Sequence, residues 1–269
     1  MDRITRIVQN IRALPVVRTI DRRRYDRVFA RHTSAVLFRG VYRSFAEAEA
    51  DLPATKPHGC DNAPAATMYG GVEQPARLID YPAIHWLGEL VGPSRNLLDY
   101  GGHVGVRYYC YSKYLHFPPD FTWRVWDTPA AMAQGRKIAA ENGIEGLTFV
   151  DDLTDPGPID LFFASGSLQF FEEALPDTLE RIGLRPRHIL INGFPLHEKH
   201  EFVTVVNQGS SFCTYQVYRK NSFLERMRSA GYELLDEWQD SPAKRCHIPH
   251  HDEYNGTVYH GFVFRAVDS

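Results

Sequence analysis

The residues best suited to chemistry lie in one stretch, Leu97-Leu-Asp-Tyr-Gly-Gly-His-Val-Gly-Val-Arg-Tyr-Tyr109. An apolar run ends in Asp99 and Tyr100. Three glycines, Gly101, Gly102 and Gly105, then lead into a helix-like segment. Glycines at such a junction let the chain turn sharply and bring backbone N–H groups against a ligand at a helix N-terminus. A second apolar run, Trp123-Arg-Val-Trp, ends in Asp127, where a carboxylate can accept hydrogen bonds from both hydroxyls of a ribose. Together these features predict a nucleoside-bearing cofactor. They leave NAD, FAD and S-adenosylmethionine open, because one local geometry serves all three.

The spacing narrows the choice. The dinucleotide pattern G-x-G-x-x-G is absent, because His103 stands where its second glycine would be, and a bulky side chain there obstructs a pyrophosphate. S-adenosylmethionine has no pyrophosphate and carries ammonium and sulfonium charges, which suit an acidic, open loop. A side chain at Gly101 is expected to block the ligand and leave the core intact.

Transfer to an oxygen or nitrogen is helped by a base whose pKa lies near the working pH, and histidine is the natural one. His103 in the loop and His197 and His200 after the fifth apolar run are the candidates. Tyr69, in a Gly-rich segment ahead of the loop, and Gln169 are candidates to contact the acceptor. Cys246-His247-x-x-His250-His251-Asp252 has metal-ligand residue types, but its spacing matches no standard site and no metal is expected. The four cysteines, Cys60, Cys110, Cys213 and Cys246, form no C-x-x-C pair, which predicts reduced thiols and a cytoplasmic protein.

These residues need a scaffold. From Asn96 onward short apolar runs alternate with helix-like stretches: Leu97–Asp99, Trp123–Asp127, Leu147–Asp151, Ile159–Ala164 and His188–Asn192. Such alternation predicts a parallel sheet covered on both faces. Thr128, Pro129 and Asn142-Gly143 mark the start and stop of one intervening helix. A helix from Ser222 to Ala230 and closing strands at Tyr232–Asp236 and Tyr259–Arg265 complete the set. Residues 1–95 read as mostly helical. A capping box at Ser44-x-x-Glu47 starts one helix, and another runs from about Pro75 to Val91 with a kink at Pro82. After the glycine loop, Tyr111 and Tyr114 fit a buried helical stripe.

Composition limits the partners. Across 269 residues the formal charge is −3, which argues against a dedicated nucleic-acid binder. The first 31 residues hold nine arginines against three aspartates. Such a basic amphipathic arm, with Ile4, Ile7, Ile11 and Leu14 as its stripe, either packs on the body or touches an anionic membrane or partner. No run of about 18 uncharged apolar residues is present.

The sequence resembles class I, Rossmann-like S-adenosylmethionine-dependent methyltransferases. More narrowly, it is similar to a family of bacterial methyltransferases associated with surface-polysaccharide gene neighbourhoods. The resemblance rests on Phe38-Arg-Gly-Val-Tyr42, Leu98-Asp-Tyr-Gly-Gly102, Trp123-Arg-Val-Trp-Asp127 with Pro129 and Gly135, and Asp160-Leu-Phe-Phe-Ala-Ser-Gly-Ser-Leu-Gln169. It continues through Ile189-Leu-Ile-Asn-Gly-Phe-Pro195, Phe223-Leu, Gly231-Tyr-Glu-Leu234 and Gly261-Phe. It implies a doubly wound, mostly parallel seven-stranded α/β sheet over 96–269, preceded by a helical extension over 1–95 that forms a lid. It also implies S-adenosylmethionine as cofactor, with Gly101, Gly102 and Gly105 at its methionine part and Asp127 at its ribose. Asp151 or Asp152 would meet the adenine, unless they cap the following turn, and Ser165 and Gly166 would line the methyl-transfer side. The implied reaction is methylation of a small polar or sugar-like acceptor. Two rivals stay open: a protein that binds the cofactor without turnover, and an NAD(P)-dependent oxidoreductase, which the glycine spacing disfavours. The oligomeric state is open, a homodimer included.

Overall fold

The computed structural model describes residues 15–34, 36–67, 74–92, 94–241 and 246–267. Strands β2 (Asn96–Tyr100), β3 (Thr122–Trp126), β4 (Leu147–Phe149), β5 (Leu161–Ser165) and β6 (His188–His197) lie parallel in the order β4-β3-β2-β5-β6. The chain winds outward from β2 to β3 and β4, then restarts on the other side with β5 and β6. The direction of winding therefore switches between β2 and β5, and ligands of open α/β sheets sit at the carboxyl ends of strands at such a point. β10 (Val258–Ala266) runs antiparallel to β6, and β9 (Tyr232–Gln239) antiparallel to β10, which completes seven strands.

Alternating residues feed two cores. Leu97, Leu161, Phe163 and Val263 face Ala83 and Leu87 of the helix Asp80–Leu90 and Cys110 and Tyr111 of the helix Val106–Tyr111. Leu98, Phe162, Ile189 and Phe264 face Leu175 and Leu179 of the helix Leu175–Arg181 and Phe223 and Met227 of the helix Lys220–Ser229. This two-sided burial is why the strands read as apolar runs.

Local signals hold with three revisions. The Asp80–Leu90 helix begins five residues later than its pattern suggests, so Pro82 falls in the first turn, where its missing N–H costs nothing and no kink is needed. Thr128 is the N-cap residue of Pro129–Glu141, yet its hydroxyl makes no capping bond; Asp127 Oδ1 accepts the Thr128 N–H at 2.6 Å. Tyr111 is fully buried, but its helix ends there, and Tyr114 is 48 % exposed.

The segment expected to be helical also contains a strand, β1 (Leu37–Tyr42), between the helices Pro15–Arg31 and Phe45–Ala50. It pairs antiparallel with β7 (Phe202–Asn207), which pairs with β8 (Phe212–Arg219), and β8 joins the end of β6 at Leu196 and His197. The N-terminal segment is thus woven into an extra sheet whose other strands come from beyond residue 200. Within the Pro15–Arg31 helix, Phe29 packs under this sheet with Val203, Val205 and Phe212, while Arg22, Arg23, Arg24, Arg27 and Arg31 are exposed. The stripe expected at Ile4, Ile7, Ile11 and Leu14 lies outside the described residues. No described helix is long and apolar enough to cross a membrane.

Candidate functional site

A cleft of about 820 Å³ opens at the carboxyl edge of β2, β3, β5 and β6, within the roughly 300–1,000 Å³ typical of small-molecule sites. One wall is the Rossmann-like edge, with Gly101, His103, Trp126, Asp127, Ser165 and Gly166. The facing wall comes from β1 and β8, with Phe38, Cys213 and Tyr215, and from His58, Cys60 and Ala65.

The glycine loop owes its path to residues beneath it. Gly101 adopts φ +74°, and its N–H donates to the Trp126 carbonyl at 2.7 Å, tying the ends of β2 and β3 together. Gly102 crosses directly over Asp99; a Cβ there would stand 2.4 Å from Asp99 Oδ2. His103 is a non-glycine residue at φ 56°, a conformation histidine adopts more readily than most side chains. Its N–H donates to Asp127 Oδ2 at 2.8 Å, and its Nε2 lies 3.0 Å from the Ala65 carbonyl. A carbonyl only accepts, so Nε2 carries the proton. Asp127 therefore pins the loop with one oxygen and the start of the next helix with the other, and it is one of the residues lining the cleft.

Of the residues singled out from sequence, Gly101, His103, Asp127, Ser165, Gly166 and Gln169 line the cleft. Ser165 Oγ and Gln169 Oε1 are buried without a hydrogen-bond partner among the described residues, while Gln169 Nε2 donates to the Gly166 carbonyl at 2.7 Å. Unpaired polar atoms on a cavity wall mark places where a ligand's donors would be satisfied.

Several expectations are corrected. Asp99 does not reach the cleft: it is 1 % exposed beneath the loop, with Oδ2 accepting from Trp123 Nε1 at 3.0 Å. Tyr100 is also core, its ring stacked 4.8 Å from Trp126. Gly102 and Gly105 shape the loop without lining the cleft. Asp151 pairs with Arg136 at 2.7 Å, and Asp152 accepts the Thr154 N–H and hydroxyl, capping its turn. His197 and His200 lie away from the cleft. β6 runs past Asn192, its last partner to β5, through Gly193 at φ +66° and on to His197, so the strand continues beyond the run that ends at Asn192. There His197 Nδ1 accepts the N–H groups of Lys199 and His200 and closes a turn, and burial holds its pKa below the usual value. Tyr69 lies outside the described residues. Among the described residues no three His, Cys, Asp or Glu side chains are grouped to hold a metal.

Sequence reasoning missed Arg77. It lines the cleft and is gripped by buried Asp80, with Nη2 2.8 Å from Oδ1 and Nε 3.0 Å from Oδ2. Tyr215 and Tyr259 were missed as well; they bridge the two sheets through a 3.0 Å hydroxyl bond on the cleft wall. The β-branched run Phe202–Asn207, the Gly209-Ser-Ser turn and the aromatic run from Phe212 carry a hairpin signal that would have exposed this wall.

Asp99 gives the site a pH signature. Burial pushes its pKa up to about 7, against the opposing pull of the Trp123 hydrogen bond and the Arg107 charge, with Asp127 pushing it further up. Unfolded, the group titrates near 3.9, so the folded chain holds the extra proton. Its contribution to stability is complete below about pH 4 and is lost as pH rises toward 7. Urea unfolding of Asp99→Asn should show a flatter stability profile across that window; a profile parallel to wild type would exclude Asp99 as the group responsible.

No family model matches the sequence, and no curated protein does either. Among solved structures the chain is similar to the [4+2]-cyclase SpnF, with TM-score 0.50 and 17 % identity over 70 % of this chain and 81 % of that one. It is also similar to a Burkholderia thailandensis 1,6-didemethyltoxoflavin-N1-methyltransferase solved with S-adenosylhomocysteine, with TM-score 0.48 and 19 % identity over 71 % and 79 %. A third match is human N-acetylserotonin methyltransferase, with TM-score 0.43 and 18 % identity over 66 % of this chain and 49 % of that one. The fold is Rossmann-like, with a doubly wound, mostly parallel sheet. SpnF, named as a cyclase, has the same fold, so the reaction must be argued from the site.

Proposed function

We propose that the protein is an S-adenosylmethionine-dependent methyltransferase acting on an oxygen or nitrogen of a small polar or sugar-like acceptor. One observation carries this reading: a single cleft joins the glycine loop and Asp127 to an opposite wall built by β1, β8 and residues 58–65. The residues present fit the cofactor. The loop backbone leaves room for its methionine part, Asp127 offers carboxylate oxygens to the ribose, and the unpaired Ser165 Oγ and Gln169 Oε1 accept donors. Arg77, beside Gly166 and Gly193, offers its charge to the carboxylate of the methionine part. When bound, the cofactor supplies an electrophilic methyl group on a sulfonium.

The chain's own residues would orient the acceptor and exclude water from it. Phe38, Phe170 and Tyr215 supply an apolar wall, and residues of the N-terminal segment, including His58 and Ala65, cover it as a lid. Of the three singled-out histidines only His103 lines the cleft, its ring held by the bond to Ala65, which supports a role for it beside the acceptor. Cytoplasmic localisation and a small-molecule partner belong to the same reading.

Thermal unfolding tests the cofactor. S-adenosylhomocysteine at about 100 times its dissociation constant should stabilise by roughly 2.7 kcal/mol, which for a chain this long raises the midpoint by about 5–10 °C. NAD(P) should give no shift, and the reverse pattern would overturn the assignment to S-adenosylmethionine. A second reading, a binder without turnover, draws support from the engagement of both cleft histidines: His58 Nε2 lies 3.0 Å from the Pro53 carbonyl and His103 Nε2 3.0 Å from that of Ala65. Methyl incorporation from labelled donor into metabolite extracts separates the two, since a silent binder shows the thermal shift and no incorporation.

A further inference from the structure

Cys60 and Cys213 stand 153 positions apart in the chain, yet their sulfurs lie 3.2 Å from each other on the cleft wall. The contact is built by backbone. The Phe212 N–H donates to the Pro57 carbonyl at 3.0 Å and the Gly59 N–H to the Phe212 carbonyl at 2.8 Å, so residues 57–59 lie along the edge of β8. Cys60 is partly exposed and Cys213 is buried, whereas Cys110 and Cys246 are each fully buried elsewhere.

We propose that Cys60 and Cys213 form an oxidation site, a dithiol that hydrogen peroxide entering the cleft converts to a disulfide. The Cys213 sulfur, on the cleft wall, attacks the O–O bond of the peroxide, giving a sulfenic acid and one water. Cys60 sulfur then attacks the sulfenic sulfur, forming the S–S bond and expelling the second water. The two thiols give up two electrons and two protons, and the peroxide is reduced to two waters. The sulfurs need only close from 3.2 Å to about 2.0 Å. The Cys60 thiol donates toward Cys213 and, with Ser211, holds the Cys213 thiol below its ordinary pKa, while the same contact and burial push the Cys60 thiol up, so Cys213 is the thiolate that attacks first.

The consequence falls on the cleft. The segment so clasped carries His58, Cys60 and Asp61 of its wall, and a few residues on Ala65 holds the ring of His103. Oxidation therefore fastens the N-terminal wall to β8 and steadies the glycine loop opposite it.

The test uses the full chain. After treatment with hydrogen peroxide, unfolding and alkylation, intact mass should show two alkylated cysteines where the untreated protein shows four. Peptide mapping should join Cys60 to Cys213, and the melting midpoint should rise by about 5–10 °C and return on adding dithiothreitol. Cys60→Ser and, separately, Cys213→Ser should keep their remaining three thiols without a cross-link. Four alkylated cysteines after peroxide, a cross-link between any other pair, or oxidation of Cys213 beyond sulfenic acid with Cys60 still alkylated would each overturn the proposal. None of these readouts involves the cofactor or turnover, so the result stands apart from the methyltransferase reading.

Discussion

Replacing Asp80 with alanine should cost about 3–5 kcal/mol of folding stability, the loss expected when one member of a buried ion pair is removed. The carboxylate is fully buried and accepts from three elements at once. Arg77 contributes its N–H, Nε and Nη2 ahead of the Asp80–Leu90 helix. Arg107 and Tyr111 come from the helix after the glycine loop, at 3.3 Å and 3.1 Å, and Asn192 from β6, at 2.7 Å. Alanine would strand the Arg107 guanidinium, 13 % exposed, and release Arg77 from the cleft wall. Burial alone would raise this carboxyl's pKa, but the hydrogen bonds of Arg77 and the charge of Arg107 outweigh it and hold the value at about 2. The pKa is depressed, so the stability it brings is present above the unfolded value near 3.9 and is lost as pH falls toward 2. Urea unfolding at neutral pH checks the magnitude, and the same experiment at about pH 3 should show the gap between wild type and Asp80→Ala narrowing. A loss below about 1 kcal/mol at neutral pH would mean the surrounding cations find other partners.

Gly101→Val should remove ligand protection and fold stability together, the latter by about 3–5 kcal/mol. The expectation from sequence, that a side chain here would block the ligand and spare the core, does not survive the geometry. At φ +74° an L side chain is strained, and its Cβ would stand 2.4 Å from Ser167 Cβ. Ser167 cannot yield freely, because its hydroxyl donates to the Tyr100 carbonyl at 2.5 Å and ties β2 to the turn after β5. Urea midpoints measured with and without S-adenosylhomocysteine decide the matter. A variant as stable as wild type but blind to the ligand would return Gly101 to a purely steric role.

The parallel sheet was legible because both its faces are buried, so each strand announces itself as an apolar run without help from distant residues. Leu97-Leu98 and Leu161–Ala164 show this, as does the helix bounded by Pro129 and Asn142-Gly143, whose Gly143 adopts φ +63°. The glycine-loop wall of the cleft was legible for the same reason: Gly101, Asp127, Ser165 and Gly166 each end or follow a strand. The facing wall was not. The β7–β8 hairpin leaves a local signal, but the pairing of β1 with β7 and the course of β6 past Gly193 are long-range and leave none in composition or spacing. Asp80 was hidden similarly, since an acid in a first helical turn is ordinary until Arg107 and Asn192 are brought to it.

The pairing of β1 with β7 also sets a schedule for synthesis. Thr204 hydrogen-bonds the carbonyls of Arg39 and Gly40 across 165 and 164 positions. At about 5–20 residues per second, a ribosome needs roughly 10–30 s to make the intervening chain. For that interval Leu37–Tyr42 has no strand to pair with, while β2 to β5 already have their neighbours. The nascent chain must therefore carry Leu37–Tyr42 as an unpaired edge until β7 has been made. The second wall of the cleft closes only after the first has been made.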